Sequence, residues 1–165
     1  MASEGQAAGP EVPAKPADRV RAIVERVVEA LEIDGSVEVT EDERQITATV
    51  DGEDVGRLIG RRGSTIDAVQ LICYRAAQHG VDSDRKRVIV DAAGYRERRR
   101  EQVEHQADRA AERATETGRE IELEAMTPNE RKVVHDHLKD RAGVETFSEG
   151  EEPERCVIVA PLVSE

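Results

Sequence analysis

An α+β fold built of two small modules is predicted for this 165-residue chain. Three observations predict it. Two short runs, residues 36–40 and 45–50, alternate apolar and polar side chains with period two and read as strands. A glycine-flanked turn, Gly60-Arg61-Arg62-Gly63, separates two segments of helical character. Beyond Gly118 the pattern changes to short strand-like runs around one strongly capped helix. The length suits one ordinary domain or two small ones.

Residues 1–16 are Ala-, Gly-, Pro- and Glu-rich with few large apolar side chains, the composition of a disordered tail. The first module spans residues 17–93. A helix over 18–31 sets Val20, Ile23, Val24, Val27, Val28 and Leu31 on one face, with Asp18 as its N-cap. The strand 36–40 follows, Asp42 and Glu43 turn the chain, and 45–50 places Ile46, Ala48 and Val50 on one side. A single short helix over 53–59 leads into the glycine turn. A longer helix over 64–79 leaves it, with Ser64 and Asp67 as a capping pair and Ile66, Val69, Ile72, Cys73 and Ala76 as its buried stripe. Gly80 stops that helix, and residues 87–91 form a third strand.

Residues 94–118 are assigned as a linking helix. Val103, Ala107, Ala110 and Ala114 recur on it at helical spacing, and Gly118 ends it. Its cluster of Arg96, Arg98, Arg99 and Arg100 is interleaved with Glu97, Glu101 and Glu104, which reads as a solvated, salt-bridged face before it reads as a phosphate-binding patch. The second module, 119–165, opens on a strand over 120–124. Thr127-Pro128-Asn129-Glu130 then starts a helix that runs to near Arg141: N-cap threonine, proline at the first position, glutamate at the third. Strands 144–147 and 156–160 close the module, joined through Glu149-Gly150-Glu151-Glu152-Pro153.

Composition excludes several functions. The net charge of -12 argues against a uniformly basic nucleic-acid binder, so any such binding rests on local patches. One patch exists: between Gly56 and Ser64 there are three arginines and no acid. From Thr115 onward thirteen Asp and Glu face six Lys and Arg. Tyr74, Tyr95 and Phe147 are the only aromatic residues, too few for a platform that stacks bases. Cys73 and Cys156 lie far apart in apolar runs and read as small buried hydrophobes, with no disulfide framework, zinc site or cofactor implied. No apolar stretch is long enough to insert in a membrane and no signal peptide is visible, so the cytoplasm is the expected compartment.

Two constellations carry the chemistry. At Gly60-Arg61-Arg62-Gly63 the glycines remove the Cβ atoms that would block a polyanion, a helix start offers free amides, and two arginines add charge. Arg57, Leu58, Ile59, Ile66 and Val69 flank the turn as charged and apolar neighbours for phosphates and bases. On the later helix Arg131 and His135 are four residues apart and share a face, with Lys132 and Lys139 beside it. A guanidinium fork and an imidazole together suit an anion, although the pair alone is a weak signal. His135 and His137 diverge at this spacing and complete no metal site.

The order helix, strand, strand, helix, Gly-x-x-Gly, helix, strand resembles the type II KH domain, whose loop clamps a nucleic-acid backbone. The piece from Met126 to Val159 resembles the R-three-H domain of single-stranded nucleic-acid-binding proteins, named for its Arg-xxx-His motif. The two modules in this order resemble the Jag (SpoIIIJ-associated, KhpB-like) family of bacterial RNA-binding proteins. That resemblance implies that Gly60, Arg61, Arg62 and Gly63 clamp backbone, with Arg57, Ile59 and Ile66 adjoining. It implies a second contact at Arg131, Lys132 and His135. The implied ligand is single-stranded RNA, or single-stranded DNA, and the implied partner is a smaller KH-domain protein or a second copy. The implied process is cell envelope growth or division. Many members carry a further N-terminal domain where this chain has a short tail.

Two other classes compete. A nuclease built on Glu130, Arg131 and His135 lacks the paired carboxylates and metal that phosphodiester hydrolysis needs, so no enzyme is expected. A protein-interaction adaptor with vestigial nucleic-acid binding is the alternative, with the acidic surface and the 95–117 helix as its working parts.

Overall fold

The computed structural model describes residue 13 and residues 15–80 and 85–162. The disordered tail expected over 1–16 lies almost wholly outside the described residues, apart from Pro13, Lys15 and Pro16. The chain divides into two compact units, Met1–Gly94 and Tyr95–Glu165.

The first unit runs α1 (Pro16–Ala30), β1 (Gly35–Glu41), β2 (Gln45–Gly52), α2 (Gly56–Ile59), a 3-10 turn (Arg61–Gly63), α3 (Ser64–Gln78) and β3 (Arg87–Ala92). Its sheet has the order β1-β2-β3. β1 pairs antiparallel to β2, with Val37 opposite Val50. β3 pairs parallel to β2, with Ile46 opposite Val88 and Ala48 opposite Val90. One face of the sheet is apolar: Ile46, Ala48, Val50, Val88, Val90 and Ala92 are all buried. Val20, Val24 and Val28 of α1 and Ile66, Val69, Cys73 and Ala77 of α3 are the buried residues of the two long helices. Spacings of three and four residues hold one face of each helix towards the core.

Local details differ from the sequence expectation, and α2 begins at Gly56 rather than at 53. α1 starts two residues before Asp18: Pro16 takes the first turn, Lys15 is the extended N-cap, and Asp18 lies within the first turn. Proline's fixed φ suits that position and costs no hydrogen bond there. Ser64 and Asp67 do not form a capping pair, because Gly63 in left-handed geometry is the N-cap of α3 and makes no side-chain cap. Ile72 is 55% exposed beside Leu71 at 56%. The buried stripe passes through Cys73 and Ala77 instead, since one residue rotates the helix by about 100°.

The second unit runs α4 (Tyr95–Thr117), β4 (Ile121–Glu122), α5 (Pro128–Leu138), β5 (Val144–Glu149) and β6 (Cys156–Pro161). Its sheet, ordered β4-β6-β5, is antiparallel throughout. The helix assigned to a link belongs to this unit's core. Val103, Ala107, Ala110, Ala111 and Ala114 of α4 pack with Met126, Val134, Leu138, Val144, Val157 and Val159. A run of alanines looks sparse as a core face in sequence, but small side chains let a facing helix and sheet approach closely and fill the space themselves. The first unit thus ends at Gly94, one residue past the expected 93, and α4 joins the second unit rather than standing between the two.

The start of α5 is the best-tied helix end. Thr127 Oγ1 accepts from the Glu130 backbone N–H at 3.4 Å, and a Glu130 carboxylate oxygen accepts from the Thr127 N–H at 2.8 Å. The other Glu130 oxygen accepts from Arg99 Nε at 2.6 Å, with both side chains largely buried. One glutamate thus closes the capping box and ties α4 to α5. Thr127→Ala should lower the unfolding free energy by about 1 kcal/mol. Ser64→Ala, whose hydroxyl caps nothing, should stay within roughly 0.5 kcal/mol of the parent. Urea denaturation of the two variants measures the contrast.

Candidate nucleic-acid interface

The Gly-Arg-Arg-Gly turn is held by backbone geometry that few residues tolerate. Gly60 has φ 70° and ψ -174°, and Gly63 has φ 81°. A Cβ at Gly60 would lie 2.1 Å from Thr65 Oγ1 and 2.9 Å from the Thr65 nitrogen. No side chain fits there, so the turn presses directly against the first turn of α3. The Gly60 N–H donates back to the Gly56 carbonyl at 2.9 Å, which ends α2. Arg62 is itself left-handed, at φ 53° and ψ 33°. Gly63 is buried while Arg61 and Arg62 are exposed. The Ser64 N–H at the start of α3 donates back to the Arg61 carbonyl, so the turn closes on its own backbone and the two exposed arginines are its charged groups.

The neighbours of the turn divide. Leu58 and Ile66 have no exposed surface and Val69 almost none, so these are core residues rather than a base-contacting surface. Ile59 is half-buried and remains beside the turn. Arg57 is engaged within the unit: its guanidinium donates to the Leu31 carbonyl at 3.0 Å and the Glu32 carbonyl at 3.3 Å, and pairs with Asp54 at 3.5 Å. It fastens α2 to the C-terminal end of α1, where orphan carbonyls attract a cation. Gln70 was not singled out in sequence. Its Oε1 accepts from the Val90 N–H at 3.0 Å, joining α3 to the edge strand β3. The sole signal was a polar residue next to the buried Val69 on an apolar helix.

The second constellation is more enclosed than its spacing suggests. Arg131 is 9% exposed, and its Nη2 donates to a Glu152 carboxylate oxygen in a short contact. The Arg131 Nε is buried and has no hydrogen-bond partner among the described residues. His135 lies four residues on, with Nδ1 2.7 Å from Thr146 Oγ1 and Nε2 3.0 Å from Ser148 Oγ. Those hydroxyls are two residues apart on β5 and so share a face. Burial, and then the nearby Arg131 charge, hold the His135 imidazole below its ordinary pKa. The ring is therefore neutral near pH 7, donating from one nitrogen and accepting at the other. Lys132 and Lys139 are exposed. Thr146, Ser148 and Glu152 lie within the stretch that resembles the R-three-H domain but were not singled out as site residues, because their roles come from strand register and a loop.

The arginine cluster at the start of α4 is partly consumed by ion pairs. Arg99 binds Glu130, and Arg100 binds Glu104 at 2.9 Å. His137 points to Asp108 at 3.1 Å, away from the hydroxyls that hold His135, and the described residues contain no cluster that could hold a metal. Both cysteines are buried and free, and burial pushes the Cys73 thiol up to about 11. No described helix is long and apolar enough to cross a membrane.

Comparison with known proteins gives two domain matches and a set of relatives. The KhpA/KhpB KH domain matches residues 17–91, and the R-three-H domain matches residues 101–161. The second match takes in most of α4. A protein of Clostridium symbiosum named RNA-binding protein KhpB is 38% identical over 145 residues, covering 87% of this chain and 65% of its own length. Its namesake in Lactiplantibacillus plantarum is 33% identical over 134 residues, covering 81% of this chain and 41% of its own. The Bacillus subtilis protein of that name is 30% identical over 147 residues, covering 88% of this chain and 70% of its own. The chain thus spans less than two thirds of the first two.

The depressed His135 value has a pH consequence. The ordinary value is 6.5 and the folded value lies below it. Between the two, the unfolded chain carries a proton here that the folded chain does not, so stability falls as pH drops through that window. His135→Gln should flatten the loss of stability between neutral pH and about pH 5. Denaturation at both pH values, with an NMR titration of the ring, checks it.

Proposed function

Since this chain belongs to the KhpB family of proteins that pair a KH with an R-three-H domain, we propose that it is a non-catalytic RNA-binding protein that holds single-stranded RNA at two places. The observation that carries the reading is the Gly60–Gly63 turn. Two exposed arginines project from a turn bounded by left-handed Gly60 and Gly63, and at Gly60 no side chain fits. A phosphodiester can approach such a backbone within hydrogen-bond distance, and the arginines supply attraction that salt weakens. Ile59 offers apolar surface to the adjacent bases, whereas Ile66, enclosed in the core, offers none. Arg57 acts by positioning α2 through the α1 carbonyls rather than by touching RNA.

The Arg131, Lys132 and His135 face is the second contact. Two weak contacts on one chain reinforce each other when one strand reaches both. The net charge of -12 raises the cost of approach everywhere else, so binding is concentrated at these sites and is strongly salt-dependent. An RNA ligand makes the cytoplasm the working compartment, and the family resemblance makes envelope growth or division the process controlled.

Electrophoretic mobility and fluorescence anisotropy with labelled single-stranded RNA test the reading. Arg61→Asp with Arg62→Asp should abolish the complex at low salt. Arg131→Ala should weaken binding on all sequences alike and reduce the slope of log K against log salt by about 0.7. Unchanged affinity in the first variant would favour the adaptor reading.

A specific observation also favours a protein partner beside RNA. Leu71 and Ile72 are adjacent on α3 and each more than half exposed, an apolar pair with no partner in the core. We propose this face as the place where a second copy of the chain docks. Leu71→Asp with Ile72→Asp should reduce the mass seen by light scattering to that of one chain and leave the unfolding midpoint nearly unchanged.

A further inference from the structure

Arg131 combines a buried charge, an exposed counter-ion and an unused donor. Arg131 as a residue is nine-tenths buried. Its counter-ion, Glu152, is half exposed at 53% and lies in the loop between β5 and β6 with Glu151 and Glu154. Nε and Nη2 form one edge of the guanidinium fork, the edge that grips carboxylate or phosphate through two parallel bonds. Glu152 takes Nη2 only, and Nε has no acceptor among the described residues. The edge is half used.

The geometry points to Glu152 as an anion gate, a carboxylate that occupies the phosphate position of Arg131 and is displaced by an RNA phosphate that engages both Nε and Nη2. The inference rests on the reading of Arg131 as an RNA contact and adds how that contact is controlled. The two sides of the pair behave differently. Removing a counter-ion from a buried charge is costly, because the charge is left uncompensated. Releasing the exposed carboxylate into water costs little, since half-exposed ion pairs are weak. Glu152 therefore leaves only when another anion arrives, and the arriving anion gains by satisfying the orphan Nε as well. A phosphodiester has two non-bridging oxygens for that edge, whereas a chloride ion supplies a single point charge. The gate thus sets selectivity: it keeps Arg131 neutralised against simple salt and opens to polyphosphate strands. His135 contributes no competing charge, because its neutral ring is held by Thr146 and Ser148.

The test uses the full chain and a short fluorescein-labelled single-stranded RNA of mixed sequence. Glu152→Gln removes the gate charge and keeps the side-chain shape. It should tighten binding roughly three- to tenfold, the scale of one like charge removed at contact distance. Glu151→Gln, the same charge change one residue away, should give much less. In an Arg131→Ala background Glu152→Gln should give no gain. Unchanged or weaker binding by Glu152→Gln, an equal gain from Glu151→Gln, or a gain that survives Arg131→Ala would each overturn the gate. The unmutated protein offers a second readout, the Arg131 Nε–H resonance, which should shift when the RNA is added; a resonance that stays in place would also overturn it. The two readings separate cleanly. If Arg131→Ala costs affinity and Glu152→Gln does not gain any, the gate fails and the RNA contact stands. If Arg131→Ala costs nothing, the contact itself fails.

Discussion

A missing side chain at residue 60 is the constraint on which the first unit's surface depends. The Gly60 α-carbon lies against Thr65 so closely that a Cβ would overlap the Thr65 hydroxyl and approach its backbone nitrogen. That contact sets the angle at which α2 meets α3. It also forces the chain through left-handed geometry at Gly60, Arg62 and Gly63. Leu58 and Ile66, on either side of the turn, are then driven fully into the core, while Arg61 and Arg62 have nowhere to go but outward. Packing and ligand presentation are here one event: the same close approach that buries the apolar flanks bares the polar backbone between them.

In the second unit electrostatics does comparable work. Glu130 closes the α5 capping box and holds Arg99, so one carboxylate organises a helix start and a helix pair. Asp108 does something similar further along, accepting from Arg141 at 2.8 Å and meeting His137. A chain with a large acidic excess can assign an acid to many of its arginines: Arg57, Arg99, Arg100 and Arg131 each have one, and Arg141 has two. Those acids sort the cations by task. Some become struts, and Arg131 keeps an unsatisfied donor inside an otherwise paired site.

Much of this was legible in the residues themselves. The period-two pattern of Ile46, Ala48 and Val50 marked a half-buried strand, and all three are core. Thr127-Pro128-Asn129-Glu130 announced its capping box, and both reciprocal bonds are present. The glycine turn and its arginines stood out because their chemistry is local. The failures have a common cause. α4 looked like a connector because alanines carry little hydrophobic signal, yet they suit a face that another helix must approach closely. Ile72 looked buried because a list of apolar positions cannot say which side of a wide stripe meets the sheet. Ile66 looked like a base-contacting residue and is enclosed, and Arg57 looked like a phosphate contact and binds carbonyls twenty-five residues and more away.

The sequence by itself determined the elements, the two-module order, and the turn that no residue larger than glycine could make at position 60. These follow from rules that act over a few residues: periodicity, capping and the absence of a Cβ. The tertiary structure alone decided which of the polar residues are available. Arg131 and His135 were adjacent on a helix face in sequence, but their states come from Glu152, Thr146 and Ser148, eleven to twenty-one residues away in the chain. Burial and charge pairing depend on what the folded chain brings alongside, and no local pattern encodes that.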